Sequence, residues 1–264
     1  MLIGRTGNGK STLANVLVNK NNELEEVFKE HPGGKSGTED TQNEIFEVNY
    51  GSKKVKYRII DTVGLGDTKV TTKEVLKKIA KTIPFIEEGL HRIFFVINSR
   101  FTKEEIQAYH LLKETIFDNE VVKYTTIISP RYPDFQNETA CKLDCFNIEN
   151  ETPELADIIK STRIIHVDTP PLKGSPNMVE SHKEARKASR RKLIAHLNNC
   201  QGIYHPSNLH TFEERVSDYL PEEKRESGPS AILSAIGAAI GGLAAGPTGA
   251  VIGASLGAAL GQQL

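Results

Sequence analysis

Gly4-Arg5-Thr6-Gly7-Asn8-Gly9-Lys10-Ser11 is the stretch that decides the fold. It reads G-x-x-x-x-G-K-S, the pattern of a phosphate-binding P-loop. The glycines let successive backbone N–H groups turn inward around a polyphosphate. Lys10 brings a point positive charge to the outer phosphates, and Ser11 a hydroxyl able to ligate Mg²⁺. A helix is expected to begin here, so that its positive dipole end faces the same anion. The nucleotide-contacting set is then Gly4, Arg5, Thr6, Gly7, Asn8, Gly9, Lys10, Ser11 and Thr12. The competing reading, a chance Gly-rich turn before a helix, is the weaker one, because further phosphate-handling segments follow in order.

Upstream, only Met1-Leu2-Ile3 are present to form the strand that normally leads into such a loop. Either this strand is very short or residues precede it in a longer protein. Downstream, residues 11–19 have Leu13, Val16 and Leu17 at helical spacing. Residues 23–30 are polar and suggest a short helical extension. The loop from His31 ends in Thr38-Glu39-Asp40-Thr41, where a nucleotide switch would place a threonine on Mg²⁺ and the γ-phosphate. Thr38 is the first choice for that role and Thr41 the second; an ordinary loop threonine is the alternative. Residues 44–50 and 55–61 alternate (Phe46, Val48, Tyr50; then Val55, Tyr57, Ile59) and predict a hairpin around Gly51-Ser52. The second strand runs into Asp61-Thr62-Val63-Gly64, a D-x-x-G. Asp61 there would hold the Mg²⁺ water shell, and the N–H of Gly64 the γ-phosphate.

The remainder alternates helix and strand. Residues 72–86 predict one amphipathic helix stopped near Pro84. The apolar run of residues 90–98 predicts a buried parallel strand. Thr102-Lys103-Glu104-Glu105 has the form of an N-cap with an acidic first turn, opening a helix to about Phe117. Strands are expected at 124–129 and 163–167, with helices at 154–160 and 180–199. This order predicts a three-layer α/β sandwich, a P-loop NTPase of G-domain type, with a mostly parallel sheet and one antiparallel hairpin strand. The expected units are a G domain over residues 1–200, a linker over 201–229 and a Gly/Ala-rich helical tail over 230–264.

Composition excludes little. The 264 residues carry a formal net charge of −1, so nothing global points to nucleic acid. The basic cluster Lys183, Arg186, Lys187, Arg190, Arg191 and Lys192 is interleaved with Glu180 and Glu184 and lacks stacking aromatics, so a solvated helix face is expected. Cys141, Cys145 and Cys200 are an odd, sparse set, as in a reduced intracellular protein. No second pair of ligands accompanies Cys141 and Cys145 at metal-site spacing. The N-x-T strings at Asn137 and Asn150 are sequons by pattern only.

Three blocks, GRTGNGKS (4–11), DTVGLGDT (61–68) and HRIFFVINSRFTKEEIQAYHLLKETIF (91–117), resemble the AIG-type or GIMAP GTPases, septin- and translocon-related members of the P-loop GTPase class. The segment 89–117 is similar to that family's own signature box, and the resemblance runs from Leu2 to Asn199. It implies binding of GTP or GDP with Mg²⁺, weak intrinsic hydrolysis, nucleotide-dependent self-association into a homodimer or larger oligomer, and frequent membrane attachment through the C-terminal end. The chain departs from the pattern where the guanine base should be read. Ile128-Ser129-Pro130-Arg131-Tyr132-Pro133-Asp134 has Arg131 near the expected acidic position, with Asp134 a residue or two late. Asp134 is the candidate for guanine N1 and N2, with a surface-loop aspartate as the alternative; His166-Val167-Asp168-Thr169-Pro170 could line the base pocket, or be a plain strand-to-loop turn.

Catalysis is also incomplete by pattern. The residue after D-x-x-G, often a water-orienting glutamine, is Leu65. A slow monomer follows unless a partner supplies the missing group. Arg100 lies in a strand-to-helix loop on the nucleotide edge and could act across a dimer as an arginine finger, a device worth about 10³–10⁵ in rate; a salt bridge to a neighbour such as Glu104 is the alternative. The expected function is a GTP-binding, slowly hydrolysing, membrane-associated switch of the cytoplasm. A non-hydrolysing nucleotide-binding scaffold is the second reading.

The tail has no charged residue from Ser227 to Leu264, and glycines recur at four-residue intervals in Gly237 and Gly241, then in Gly249, Gly253, Gly257 and Gly261, with Gly242 and Gly246 in a parallel register. On a helix this spacing makes a small-residue stripe of the kind that lets helices pack closely in lipid. Pro247 divides the tail into halves of about 15 residues, roughly 23 Å each, short of the ~30 Å hydrocarbon core. A shallow helical hairpin on a membrane is expected; soluble self-assembly and a low-complexity tail are the alternatives.

Overall fold

The computed structural model describes residues 1–20, 23–30, 41–65, 72–98 and 100–206. Thr38, the linker beyond residue 206 and the Gly/Ala-rich tail lie outside them. The strands are β1 (Leu2–Gly4), β2 (Gln42–Tyr50), β3 (Lys53–Asp61), β4 (Ile93–Val96), β5 (Thr125–Ser129) and β6 (Arg163–His166). They form one sheet in the order β2-β3-β1-β4-β5-β6. The β2–β3 hairpin is antiparallel and the other pairs are parallel.

Side chains on the central strands alternate between two cores. Ile3, Ile60, Phe95 and Ile127 face one; Leu2, Ile59, Phe94 and Ile128 face the other. Near-continuous apolar strands follow from covering both faces of a parallel sheet. Helices α1 (Lys10–Val18) and α7 (Pro176–Asn199) cover the second face. The first face carries α2 (Thr72–Ala80), α3 (Ile83–Ile86), α4 (Lys103–Leu111) and α6 (Pro153–Ser161). The result is the expected three-layer sandwich.

Three local expectations differ, and a fourth segment reaches its expected end by a different geometry. The helix predicted over 72–86 is two, α2 and α3, because Pro84 sits at the start of α3: it has no N–H to continue an earlier helix, and its ring disfavours helical backbone at the residue before it. Helix α4 ends in one wide turn, Leu112–Ile116, closed by Phe117 N–H on the Leu112 carbonyl at 3.0 Å. Residues 23–30 form turns rather than a helix, since Asn15 Oδ1 accepts from the N–H groups of Val27 (2.9 Å) and Phe28 (2.7 Å) and holds the segment against α1. An unexpected helix, α5 (Glu138–Glu149), is capped by Asn137, whose Oδ1 accepts from Thr139 and Ala140 N–H. Cys141 and Cys145 lie one turn apart on it as free thiols.

The face of α7 expected to be solvated turns part of its charge inward. Arg186 is only 2% exposed and spans two elements: Nε donates to Pro170 O at 2.7 Å, and both terminal nitrogens reach the Glu30 carboxylate at 3.3 Å. Arg190 Nε donates to Leu17 O, and Lys192 Nζ to Phe135 O. These cations fasten α7 to the domain and leave fewer for an external polyanion. Removing one partner of a buried pair strands the other charge. Arg186→Ala is expected to destabilise the domain by about 3 kcal/mol, read as a lowered denaturant midpoint with an unchanged slope; an unchanged midpoint would mean that the Glu30 contact contributes nothing.

Candidate nucleotide-binding site

The C-terminal ends of β1, β3, β4, β5 and β6 meet along one edge of the sheet, where loop residues rather than strand residues face outward. At the centre, the chain leaves β1 at Gly4 and turns through Gly7 and Gly9, with φ of +84° and +90°, before α1 begins at Lys10. Gly9 is the cap of α1 in left-handed backbone, a conformation that strains any side-chain-bearing residue. The first amides of α1 therefore point into the loop with their dipole behind them.

Lys10 is buried, and its Nζ donates to the carbonyls of Gly4 (3.1 Å) and Arg5 (3.0 Å), folding the side chain back over the loop. Burial pulls its ammonium down to about 8, against the attraction of Asp61. Ser11 Oγ donates to Asp61 Oδ2 at 2.6 Å. Asp61 is 1% exposed; burial raises its carboxyl above the usual range, against Lys10 and the Ser11 hydroxyl. Its other oxygen, Oδ1, is buried with no hydrogen-bond partner, and so are Arg5 Nε and Thr6 Oγ1. Buried polar atoms are rarely left orphaned. Three of them around one loop describe a site built for a polar ligand.

A hydroxyl and a carboxylate oxygen, both hard donors, fit Mg²⁺, which takes one or two protein oxygens and leaves the rest to phosphates and water. Gly64 lies against the loop so closely that a Cβ on it would stand 2.2 Å from Thr6 Oγ1 and 2.5 Å from Thr6 Cα. Only glycine permits this approach. The next residue, Leu65, continues it: its N–H donates to Gly4 O (3.0 Å), and its carbonyl accepts from Thr6 N–H (3.2 Å). The Leu65 side chain is 2% exposed, in the core.

The loop is braced from the β4–α4 side by contacts that its own motif does not announce. Asn8 Nδ2 donates to Val96 O (2.8 Å) and to Glu105 Oε1 (3.1 Å). Glu105, 1% exposed, also accepts from Asn98 N–H (2.8 Å) and Thr102 N–H (3.0 Å), completing the capping box of α4. The cap was legible from Thr102 and the acidic turn; its reach to Asn8 was not. Arg131, at the end of β5, donates to Gly7 O (2.8 Å) and Asn98 Oδ1 (3.0 Å). The residue found in the expected acidic position therefore ties the base-side loop to the phosphate loop.

The other sequence-derived residues are placed as follows. Thr12 uses its hydroxyl on Glu30 (3.0 Å), leaving its backbone to the first turn of α1. Thr41, the second choice for the switch threonine, donates instead to Lys78 O. Arg100 is exposed at the nucleotide edge, and Glu104 forms its ion pair with Arg5 (3.8 Å). Asp134 is exposed on a turn whose carbonyl accepts from Asn137 N–H (2.8 Å). A cavity of about 630 Å³ lies at the opposite end of the sheet, between Met1, Tyr57 and Cys200, and is unrelated to this site. Among the described residues no helix is long and apolar enough to cross a membrane.

A P-loop opening into a helix, a lysine over the loop, and a serine–aspartate pair beneath it define a P-loop nucleotide-binding domain of the mostly parallel α/β class. The AIG1 family profile matches residues 1–214, and the chain belongs to the AIG1 family. Among relatives, it is 30% identical over 132 residues to immune-associated nucleotide-binding protein 7 of Arabidopsis thaliana, covering 48% of this chain and 39% of the relative. It is 24% identical over 220 residues to immune-associated nucleotide-binding protein 1 of the same plant, covering 80% of this chain and 88% of that one. The chain thus spans well under half of the former and most of the latter. Among solved structures, Arabidopsis thaliana Toc33 in complex with GDP and Mg²⁺ superposes with a TM-score of 0.41 at 16% identity, covering 77% of this chain and 86% of that one.

Loss of Glu105 would remove the acceptor for three donors at once. Glu105→Ala is expected to lower stability by about 2–3 kcal/mol, measured by denaturant unfolding. Glu105→Gln, which keeps one acceptor oxygen, should lose less. Equal losses would mean that the retained oxygen contributes nothing and that the effect rests on the oxygen glutamine replaces.

Proposed function

We propose that this chain binds GTP and GDP with Mg²⁺ and hydrolyses GTP slowly. The observation that carries the reading is the Lys10–Ser11–Asp61 arrangement, with its lysine folded over the loop carbonyls and its orphaned Asp61 oxygen. An incoming β- or γ-phosphate replaces the Gly4 and Arg5 carbonyls as the partner of Lys10. Ser11 and Asp61 would hold Mg²⁺, directly or through water, and the ion would supply charge neutralisation to the phosphates. Thr38 is the proposed switch threonine for the same ion, and the Gly64 N–H would meet the γ-phosphate. Family membership supports a nucleotide ligand; the choice of guanine is part of the proposal.

Slow turnover in the monomer is supported by Leu65. The position from which a glutamine would orient water holds an apolar side chain packed in the core. We assign the missing charge stabilisation to Arg100 of a second copy, because the residue is exposed on the nucleotide edge. The same burial of Leu65 favours one other reading, a nucleotide-binding scaffold without turnover. Membrane attachment through residues 230–264 is the remaining proposal, resting on their uncharged, glycine-striped sequence; loss of liposome flotation on truncation at Ser227 is its test.

Binding of a phosphate favours protonated Lys10, so affinity should be level just below pH 8. It should fall by up to about tenfold per pH unit above it, as the free protein's lysine discharges. Lys10→Ala should weaken Mg²⁺–nucleotide binding by about 100-fold and flatten that pH profile, measured by calorimetry or a fluorescent nucleotide. Wild-type affinity in the variant would refute the phosphate site.

Turnover per molecule should rise with protein concentration. Arg100→Ala should abolish the rise and leave nucleotide affinity within about twofold, because a finger acts in the transition state. Concentration-independent turnover removes the dimer mechanism, and absence of turnover at any concentration selects the scaffold.

A further inference from the structure

Among the described residues, three aspartates lie near the edge of the sheet beyond Arg131, and Asp168 is neither exposed nor in a salt bridge. Asp144 on α5 is committed: its Oδ2 pairs with the buried His166 ring at 2.7 Å. Asp134 sits on the exposed turn between Tyr132 and Asn137. Its neighbour Phe135 is buried, with its carbonyl held by Lys192 of α7 at 2.7 Å. Asp168 lies two residues beyond β6 and is half-buried.

The backbone of Asp168 is fixed from three directions. Its N–H donates to Ser189 Oγ (2.9 Å), and its carbonyl accepts from the same hydroxyl (2.7 Å). It forms a β-bridge with Arg131. The next residue, Thr169, directs both its N–H (2.9 Å) and its hydroxyl (3.0 Å) to Pro130 O. Arg131 in turn reaches Gly7 O of the phosphate loop, and the Pro130 ring stands beside Gly9. The end of β6 is therefore tied through residues 130 and 131 to the loop that would hold the phosphates.

We propose that Asp168, not Asp134, reads the purine base, its two carboxylate oxygens accepting from the N1–H and the N2 amino group of guanine. The inference rests on the proposed nucleotide site and adds to it the residue that selects the base. The neighbours cannot do this work. Pro130 has no polar side-chain atom, and Arg131 has donors only. An ionised carboxylate accepts two parallel donors at once, whereas adenine offers no such pair. Partial burial strengthens the bond by thinning the water around it, and it raises the Asp168 carboxyl only against the opposing pull of His182 and the Thr169 N–H.

The test compares GDP, XDP, IDP and ADP binding, with Mg²⁺, to the full chain and its variants. The parent should prefer GDP over XDP and ADP by about 10- to 100-fold. Asp168→Asn turns one acceptor into a donor that matches the xanthine C2 carbonyl; it should lose GDP affinity by a similar factor and gain XDP affinity. Asp134→Asn should keep the parent's order. Should Asp168→Asn fail to fold, Asp168→Ser removes the acceptor for the N2 amine and should equalise GDP and IDP. A reversal produced by Asp134→Asn, an unchanged order in both Asp168 variants, or an equal loss of all four ligands in them overturns the proposal. A parent that binds all four equally overturns it while leaving the phosphate site standing. A parent that binds none overturns both.

Discussion

The Glu105 carboxylate is the constraint on which the nucleotide edge depends. It is buried, and its oxygens gather donors from Asn8 in the phosphate loop, Asn98 at the end of β4 and Thr102 at the start of α4. A charge at 1% exposure is tolerated only where such donors surround it. The same bonds that solvate the charge fix three chain segments relative to one another. Burial still raises the carboxyl against these hydrogen bonds, so the folded state carries a cost here in return for a rigid loop.

Two further tethers extend that rigidity. Arg131 joins the end of β5 to Gly7, and Glu30 joins α1 to α7 by accepting from Thr12, Asn15 and Arg186. Each tether uses a charged group, Arg131 or Glu30, whose partners lie in other segments of the chain. Loops between such anchors can carry the exposed Arg100 and the half-buried Asp168 without losing their position relative to the P-loop.

The layered fold was legible because its signals are local. Gly4–Ser11 and Asp61–Gly64 are short motifs, and the alternation in residues 44–61 announces a hairpin without any long-range information. Helix α5 was not legible because it buries only Ile148 and shows almost no apolar stripe; its one local signal was Asn137, which reads equally well as a sequon. The inward role of Arg186 was hidden for a different reason. A basic residue among acidic neighbours on a helix reads as solvated, and its actual partner Glu30 lies 156 residues away in sequence. The Asn8–Glu105 bond, across 97 residues, is invisible in the same way. In the site, the residue types were readable and the tethers between them were not.

Lys10 and Asp61 bear opposite shifts with one origin. Burial lowers the lysine and raises the aspartate, each towards neutrality, although each charge steadies the other. The pair therefore does not compensate itself fully. A polyphosphate supplies the negative charge that Lys10 lacks, and a divalent cation the positive charge that Asp61 lacks. Either ligand alone would satisfy one group and leave the other under-compensated. The two belong together at this loop, and that is the physical argument for the proposed ligand being a metal–nucleotide complex rather than a bare phosphate.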